Sequence, residues 1–318
     1  MKFFIRSIVA MVTAIAALGV SAQDFPNKAI TLIIPYTPGG ATDLTFRALA
    51  DTARKHFNQQ IVVENRPGGS GAVALASMLA KPADGYTVTV IVPVVQRASY
   101  QSKFSFDVVN DLVPIIQVAS LQYGIVVRTD SPHKTLKELI EAAKASPGKF
   151  TYMSAGIGSG GHIYMEEIAA AAGGVQFNHV PSKGDADAAA ALMGGHVDLI
   201  AVTPGGWSSL VQAGKLRLLA TLGEKRTRRF PDVPVVRETE YGVVHLTPLG
   251  VAGPKGLSAE VVAKLHEGFR KAVEDPAFIA RMDEMENAIV YQGPEQFKQS
   301  WARYYVEEGE RVRRFLSK

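Results

Sequence analysis

Short apolar runs alternate with helix-like patterns along most of this 318-residue chain. Runs this short and apolar are typical of strands buried on both faces of a parallel sheet, because helices cover both faces of such sheets. The alternation therefore predicts an α/β fold built from mostly parallel sheets flanked by helices. The predicted strands are Ile30–Ile34, Ile61–Glu64, Thr87–Val92, Ile115–Ala119, Gly124–Arg128, Phe150–Met153, Val175–Val180, Leu199–Val202 and Leu216–Thr221. The predicted helices between them are Asp43–His56, Gly71–Ala80, Leu136–Ala145, His162–Ala172, Ala186–Met193 and Trp207–Ala213.

The C-terminal part departs from this alternation. Ser258 is a predicted N-cap for a long helix, Ala259–Glu274, which Asp275-Pro276 interrupts. A short strand, Ala288–Tyr291, and a last helix from Pro294 follow. No low-complexity linker or short-period repeat divides the chain, so composition alone marks no domain boundary.

The N-terminus has the three parts of a secretory signal peptide. Lys2 and Arg6 form the charged start, Ile8–Val20 is an apolar stretch too short to span a bilayer, and Val20-Ser21-Ala22 is a small-residue cleavage site. A buried N-terminal helix is the alternative interpretation. We expect residues 1–22 to be removed and the remaining chain to be exported.

Cysteine content and charge exclude several classes of protein. The chain has no cysteine, which excludes disulfides, a thiolate metal site, a cysteine nucleophile and anchoring through a lipidated cysteine. The formal net charge is +4, and loss of Lys2 and Arg6 with the signal peptide lowers it to +2. The basic run Lys225–Arg229 is short and isolated, which favours a solvated loop over a nucleic-acid site.

A glycine turn joins the first predicted strand to the first predicted helix. The apolar run Ile30–Ile34 ends at Pro35, Gly39-Gly40 follows, and a helical pattern begins near Thr42-Asp43. Unpaired backbone N–H groups and the positive end of the dipole make a helix start suitable for an anion, and glycine allows close approach. An ordinary strand-to-helix turn is the alternative. Asp43 is expected to interact with the helix N-terminus.

The same arrangement recurs more than a hundred positions later. The strand Phe150–Met153 precedes the glycine-rich segment Ser154–Gly161, and His162 opens a helix. This spacing also fits the dinucleotide fingerprint G-x-G-x-x-G, but the strand Val175–Val180 is not followed by an acidic residue for a ribose. Two lobes that each offer one such turn across a shared cleft would explain the duplication. A third glycine turn, Asn65–Gly71, also leads into a helix. It is either a tight turn in which Arg66 forms a structural ion pair, or a segment that contacts the ligand.

Catalytic and metal-binding patterns are weak by comparison. No phosphate-binding loop, nucleophile elbow or nucleophile–base–orienter set is found in the sequence. His162 and Glu166 are spaced i, i+4, but no third metal ligand is evident. We therefore predict a binding protein, with no enzyme activity, cofactor or metal.

The motifs in order resemble the Bug-type receptors, the periplasmic solute-binding proteins of tripartite tricarboxylate transporters. The resemblance extends from Phe25 to the C-terminus, and its specificity comes from the order and spacing of the segments. These segments are Pro26–Pro35, Pro38–Asp43, Val63–Gly68, Pro82–Thr87, Ser154–His162, Met193–Leu199, Ala213–Arg217 and Phe230–Pro234.

The resemblance implies a two-lobed, clamshell-like periplasmic binding protein fold that closes on one small carboxylate-bearing solute. It implies that the chain crosses twice between lobes, so that residues 23–122 and 246–318 form lobe 1 and residues 123–245 form lobe 2. The stretches Gln117–Val127 and His245–Val251 are the candidate crossings. The ligand carboxylate is expected on the backbone of both glycine turns, partly through water. The candidate contact residues are Tyr36, Thr37, Pro38, Gly39, Gly40, Ala41, Thr42, Asp43, Ser154, Ala155, Gly156, Ser159 and His162.

Two segments depart from the family pattern. Val92–Arg97 replaces a small, polar segment that lines the pocket, and Ser182-Lys183 stands where many members have an aromatic Tyr. Arg97 or Lys183 would pair with a distal carboxylate of the solute, or else both are exposed. Ser182, Lys183, Arg97 and Thr203 complete the candidate contact set.

The expected partners are a small organic mono- or dicarboxylate and the membrane permease subunits of a tripartite transporter. The apolar segment Val92–Val95 favours an aromatic carboxylate. The chain is expected to act as a monomer and to bind no nucleic acid. A ligand-sensing periplasmic component of a signalling system is the alternative function, because the same closed form would contact a sensor instead of a permease.

Overall fold

The structure is a computed structural model that describes residues 25–244 and 247–316. The predicted signal peptide, residues 1–22, lies outside the described residues, as does His245 of the second candidate crossing. The strands are β1 (Ile30–Ile34), β2 (Ile61–Asn65), β3 (Thr87–Ile91), β4 (Leu112–Leu121), β5 (Tyr123–Arg128), β6 (Thr151–Ser154), β7 (Asn178–Pro181), β8 (Leu199–Val202), β9 (Leu216–Leu222), β10 (Thr247–Pro254) and β11 (Ala288–Gln292). The α-helices are α1 (Ala41–Phe57), α2 (Ala72–Leu79), α3 (Val94–Gln101), α4 (Leu136–Ala145), α5 (Gly160–Ala171), α6 (Asp185–Met193), α7 (Ser208–Gln212), α8 (Ala259–Val273), α9 (Pro276–Glu284) and α10 (Pro294–Arg311).

The strands form two separate sheets. The first has the order β11-β4-β10-β3-β1-β2, and the second has the order β7-β6-β8-β5-β9. Helices flank both sheets, so the predicted two-lobed α/β fold is confirmed. Gln122 alone separates β4 of the first sheet from β5 of the second. The chain returns to the first sheet between the end of β9 and the start of β10.

The expectation of mostly parallel sheets is corrected to mixed sheets. β1 runs parallel to β2 and β3, and β6 runs parallel to β7 and β8. β10 is antiparallel to β3 and β4, and β5 is antiparallel to β8 and β9. β5 and β10 are the strands that arrive from the other sheet, and they therefore enter at the opposite end from β1 and β3 in the first sheet and from β6 and β8 in the second. The carboxyl ends of β1, β3, β6 and β8 consequently face the region between the sheets, where ligands of α/β proteins bind.

Burial explains why the first strand was readable from the sequence. Ile30, Leu32 and Ile34 are fully buried in one core cluster, and Ile33 is buried in a second cluster on the other face of the sheet. Both faces of β1 are thus covered, as a continuous apolar run predicts. The α1 helix supports this strand with Phe46 and Leu49, which belong to the same cluster as Ile30.

Two elements differ from the roles that the sequence predicts for them. The second candidate crossing, His245–Val251, overlaps Thr247–Pro254, which is a fully buried strand in the first sheet. Its two prolines and two glycines concealed the strand pattern, because these residues are depleted in strands. The segment Val92–Arg97 is predicted to line the pocket, but its residues from Val94 onward belong to the helix α3, which begins behind Pro93.

Among the described residues, no helix combines the length and apolar content needed to cross a bilayer.

Candidate functional site

A cavity of about 590 Å³, here called the cleft, lies between the two sheets. One wall consists of Gly39, Gly40, Ala41 and Leu44, which follow β1. The opposite wall consists of residues of the second sheet that follow β7 and β8. These residues are Lys183, Gly184, Asp185, Ala186, Asp187, Pro204, Gly205, Ser208 and Ser209. Arg229, Glu284 and Met285 also line the cleft. The cleft is therefore shared between the two halves of the fold.

The first glycine turn, Thr37–Thr42, presents an uncapped helix N-terminus to the cleft. Gly40 is the N-cap of α1 with extended backbone angles (φ −77°, ψ 166°), and no side chain caps the helix there. A Cβ placed on Gly39 or Gly40 would meet no atom within 4 Å, so the backbone is approachable from the cleft. Gly39 has φ +89°, which favours glycine at that position. The N–H groups of the first turn are thus available for an anion.

Asp43 lies beneath the first glycine turn and holds it in place. One carboxylate oxygen accepts from Gly39 N and Arg47 Nε, both at 2.9 Å, and the other accepts from Asn65 Nδ2 at 2.7 Å. Asn65 also donates to the Tyr36 carbonyl at 2.9 Å. Burial opposes ionisation of Asp43, but the hydrogen bonds from Arg47, Asn65 and Gly39 outweigh it and lower its pKa. Asp43 is 1% exposed, so it positions the turn and is not presented to the cleft.

The start of α6 mirrors the start of α1 across the cleft. Gly184 is its N-cap, and again no side chain caps the helix. The Lys183 backbone N–H donates to Asp187 at 3.1 Å, and the Ser182 hydroxyl donates to the carbonyls of Ser154 and Gly184 at 2.8 and 2.9 Å. These bonds fix the turn before α6. The cleft is thus bordered by two uncapped helix starts, one from each sheet.

Asp185 is oriented by Thr203, which lies in the loop after β8 of the second sheet. The Thr203 hydroxyl donates a hydrogen bond to Asp185 Oδ2. Burial raises the pKa of the Asp185 carboxyl, and the hydrogen bonds from Thr203 act in the opposite direction. Asp185 therefore faces the cleft as a partly buried carboxyl group.

The second glycine turn, Ser154–His162, differs from the first because it satisfies its own polar groups. The Ser159 hydroxyl caps α5 by accepting from His162 N at 3.4 Å, and it donates to Ser154 Oγ at 3.0 Å. Gly158 N donates to His162 Nδ1 at 3.0 Å. His179 Nε2 lies 2.8 Å from Ser154 Oγ. No residue of this turn lines the cleft as bounded above.

Two neutral histidines support the second glycine turn. The rings of His162 and His179 stack with centroids 4.1 Å apart and an interplanar angle of 9°. Burial lowers the pKa of His179 to about 4, and the neighbouring His162 adds to this effect. Burial also lowers the pKa of His162, with a further contribution from the charge of Arg97. His162 therefore acts as a hydrogen-bond acceptor within the turn and not as a cation for the solute.

Arg97 has an intramolecular carboxylate partner. Its side chain is 4% exposed, Nη1 donates to Glu308 Oε2 at 2.8 Å, and Nε donates to the Gly158 carbonyl at 2.9 Å. The alternative of an exposed Arg97 is thus wrong, whereas Lys183 is exposed at the edge of the cleft. Arg97 joins α3 of the first half to the second glycine turn. Val92 and Val95 of the same segment are buried in the core instead of lining the cleft.

The phenol of Tyr36 is subject to charges from both halves of the fold. The residue is 36% exposed, but burial raises the pKa of its phenol to about 12. The charge of Arg97 lowers this pKa and the charge of Asp185 raises it further, so both groups lie within electrostatic range of the phenol.

Of the predicted contact residues, Gly39, Gly40, Ala41 and Lys183 line the cleft. The cleft is also lined by five residues that are not among the predicted contacts: Gly184, Asp185, Asp187, Pro204 and Gly205. The available signal was Gly184, two residues before the predicted helix Ala186–Met193, which resembles the position of Gly39-Gly40 before α1. Among the described residues, no group of three His, Asp or Glu side chains could hold a metal ion.

Comparison with known proteins identifies the class of this fold and the family. A TctC solute binding protein from Polaromonas, solved without ligand, is 30% identical, covers 91% of this chain and 99% of its own, and superposes with a TM-score of 0.77. The fold is that of periplasmic binding proteins. The family model "Tripartite tricarboxylate transporter family receptor" matches residues 45–318. The chain belongs to this family, which is a class of solute-binding receptors and not of enzymes.

Relatives and a liganded structure agree with this assignment. The UPF0065 protein in the gbd 5' region of Cupriavidus necator is 43% identical over 302 residues, which are 93% of this chain and 92% of that protein. BugT of Bordetella pertussis is 29% identical over 95% of each chain, which confirms the Bug-type resemblance. An R. palustris protein solved with adipate is 25% identical, covers 91% of this chain and 98% of its own, and has a TM-score of 0.79.

Proposed function

We propose that this chain is an exported receptor that captures a small organic mono- or dicarboxylate in the cleft between its two lobes. One observation carries the proposal: two uncapped helix N-termini, at Gly40 and Gly184, border one cavity from opposite sheets. Each offers unpaired N–H groups and a positive dipole end, so a carboxylate is stabilised without a dedicated arginine. The adipate in the R. palustris neighbour supports this choice of ligand.

Binding of one solute by both walls favours the closed arrangement of the lobes. A ligand that contacts both walls binds the closed state more tightly than the open state and so shifts the population toward it. The proposed lobes are residues 23–122 with 246–318, and residues 123–245. The closed monomer would deliver its solute to the permease subunits of a tripartite transporter in the membrane, after cleavage of the signal peptide behind Ala22. It catalyses no reaction.

Thermal unfolding of the purified chain with a panel of mono- and dicarboxylates tests the proposal. A ligand that binds only the folded state raises Tm, and at a hundred times its Kd it adds about 2.7 kcal/mol of stability. Gly40→Val should abolish this rise, because the side chain would occupy the approach to the α1 N-terminus. The unliganded fold should tolerate the change, because φ at Gly40 is negative and no atom lies within 4 Å of the added Cβ.

Gly293→Val is the matched control. Gly293 is the uncapped N-cap of α10, with φ −73° and ψ 175°, and it lies outside the cleft. We expect Gly293→Val to retain the full ligand-induced rise in Tm. A panel that leaves the Tm of the wild type unchanged would contradict the proposed function. Undiminished ligand stabilisation in a folded Gly40→Val protein would remove the first glycine turn from the site.

A further inference from the structure

Asp185 places a carboxyl group without a cationic partner on the wall of the cleft. Its contacts are made with Thr203, which fixes the direction of the carboxyl group. Among residues 25–244 and 247–316, no lysine, arginine or histidine lies within ion-pair distance of Asp185. A charged group in this position therefore lacks the partner that buried carboxylates ordinarily have.

The nearby arginines are already paired with other carboxylates. Arg97 forms its ion pair with Glu308 at 2.8 Å, and Arg229 lies 3.0 Å from Glu286. The side chain of Lys183 is exposed at the edge of the cleft, on the turn before Asp185. These arginines therefore do not serve as partners of the Asp185 carboxyl group.

A carboxyl group without a cationic partner on the wall of a binding cleft favours a cationic group on the solute. An ammonium group would meet Asp185 through a charge-assisted hydrogen bond. A second carboxylate of the solute would instead be repelled by an ionised Asp185.

We propose, on the basis of the proposed function above, that the preferred solute carries a protonated amine in addition to its carboxylate, and that Asp185 accepts a hydrogen bond from this amine. The α1 N-terminus holds the carboxylate of the solute, and Asp185 selects the amine on the other wall. Asp185 is thus the residue that distinguishes an amino-substituted carboxylate from the unsubstituted acid.

Asp187 provides the matched control on the same turn of α6. Its carboxylate accepts a hydrogen bond from the Lys183 backbone N–H at 3.1 Å. This bond within the turn before α6 explains why a carboxylate stands at that position. Both carboxylates line the cleft and both precede the middle of α6, so their contributions to the helix dipole are similar. Only Asp185 is oriented by the neighbouring loop at Thr203.

Calorimetric titration with matched pairs of acids tests the inference. The pairs are aspartate and succinate, glutamate and glutarate, and β-alanine and propionate, which differ by one amine. For the pair that binds, we expect the wild type to prefer the amine-bearing member. Asp185→Asn should lower the affinity for that member about tenfold to a hundredfold, the range of a lost charge-assisted hydrogen bond. It should leave the unsubstituted acid unchanged or improved, and Asp187→Asn should preserve the wild-type preference.

The outcomes separate this inference from the proposed function. A wild type that prefers the unsubstituted acids would overturn the inference but not the carboxylate receptor, and this comparison does not depend on the folding of any variant. Equal losses for both members of a pair in a folded Asp185→Asn protein would likewise overturn it, since Asp185 would then act on the shared carboxylates. Binding of none of the six acids, with no rise in Tm in the broader carboxylate panel, would overturn the proposed function together with the inference.

Discussion

Asp43 shows at the scale of a single residue how a buried carboxylate prepares a site that it does not touch. Its two oxygens accept hydrogen bonds from the Gly39 backbone, the Arg47 side chain and the Asn65 amide. Asn65 continues the network to the Tyr36 carbonyl. The shape of the first glycine turn therefore depends on a residue in the first turn of α1 and on one at the end of β2.

Asp43→Ala should destabilise the chain and weaken carboxylate binding. Its three donors would lose their acceptor, which costs about 1–3 kcal/mol of unfolding free energy. Because the pKa of Asp43 is lowered in the folded state, its contribution is present above its unfolded pKa, about 3.9, and is lost as pH falls through the folded value. Urea unfolding at neutral pH and at pH values below 4 measures both effects.

Asp51→Ala is the control for this prediction. Asp51 lies on the same helix but is exposed, so its removal should change the unfolding free energy by less than about 0.5 kcal/mol. Equal stability of the Asp43→Ala and Asp51→Ala proteins would show that the network beneath the turn is not stabilising.

Part of this residue-scale arrangement was readable from the sequence. Asp43 follows Gly39-Gly40 by three residues, which predicted an interaction with the start of the helix. In the structure the Asp43 carboxylate does accept a hydrogen bond from the Gly39 backbone N–H. The partner Asn65 is distant in sequence and meets Asp43 only because β2 pairs with β1. Arg97 had two open alternatives for the same reason, since its partner Glu308 comes from the last helix.

At the scale of elements, three helices that begin after glycines differ in whether a side chain caps their N-terminus. The starts of α1 and α6 lack a side-chain cap, whereas Ser159 caps α5. The sequence predicted anion sites at the starts of α1 and α5, because each of these helices follows a strand and a glycine turn. It could not show that the polar groups of the Ser154–His162 turn would bond among themselves, since that depends on His179 from the adjacent strand.

The basic segment Lys225–Arg229 forms ion pairs with α9 and the residues that follow it. Arg228 pairs with Asp283 at 2.5 Å, and Arg229 pairs with Glu286 at 3.0 Å. These bonds connect the segment after β9 of the second sheet to α9 and the residues behind it, which belong with the first sheet. The predicted solvated loop is therefore also a contact between the two halves of the fold.

Arg229→Ala should cost more stability than Arg228→Ala. The Glu286 side chain is 3% exposed, so loss of its partner leaves a buried carboxyl group uncompensated, at a cost of about 1–3 kcal/mol. The side chains of Arg228 and Asp283 are 78% and 42% exposed, and such a pair contributes about 0–1 kcal/mol. Urea unfolding of the two variants under identical conditions makes the comparison. A larger loss for Arg228→Ala would contradict this account of the contact.

At the scale of the whole molecule, the alternation of strands and helices was sufficient to predict an α/β fold. The ordered family motifs added the two lobes and the double crossing. The sequence did not predict that β5 and β10 would run antiparallel to their neighbours, because direction follows from the end at which a strand enters its sheet. The prolines and glycines of β10 hid its strand pattern in the sequence, although all eight of its residues are buried in the sheet.

The central claim is that a carboxylate closes the two lobes on each other. The chain has no cysteine, so cysteines introduced at Val62 on β2 and Met193 on α6, both exposed, are the only sites for spin labels. The label-to-label distance, measured by pulsed electron paramagnetic resonance, should shorten when the carboxylate that most raises Tm is added at saturation. The Gly40→Val version of the labelled protein should show no change. A distance that stays constant while calorimetry shows the carboxylate to be bound would contradict the account.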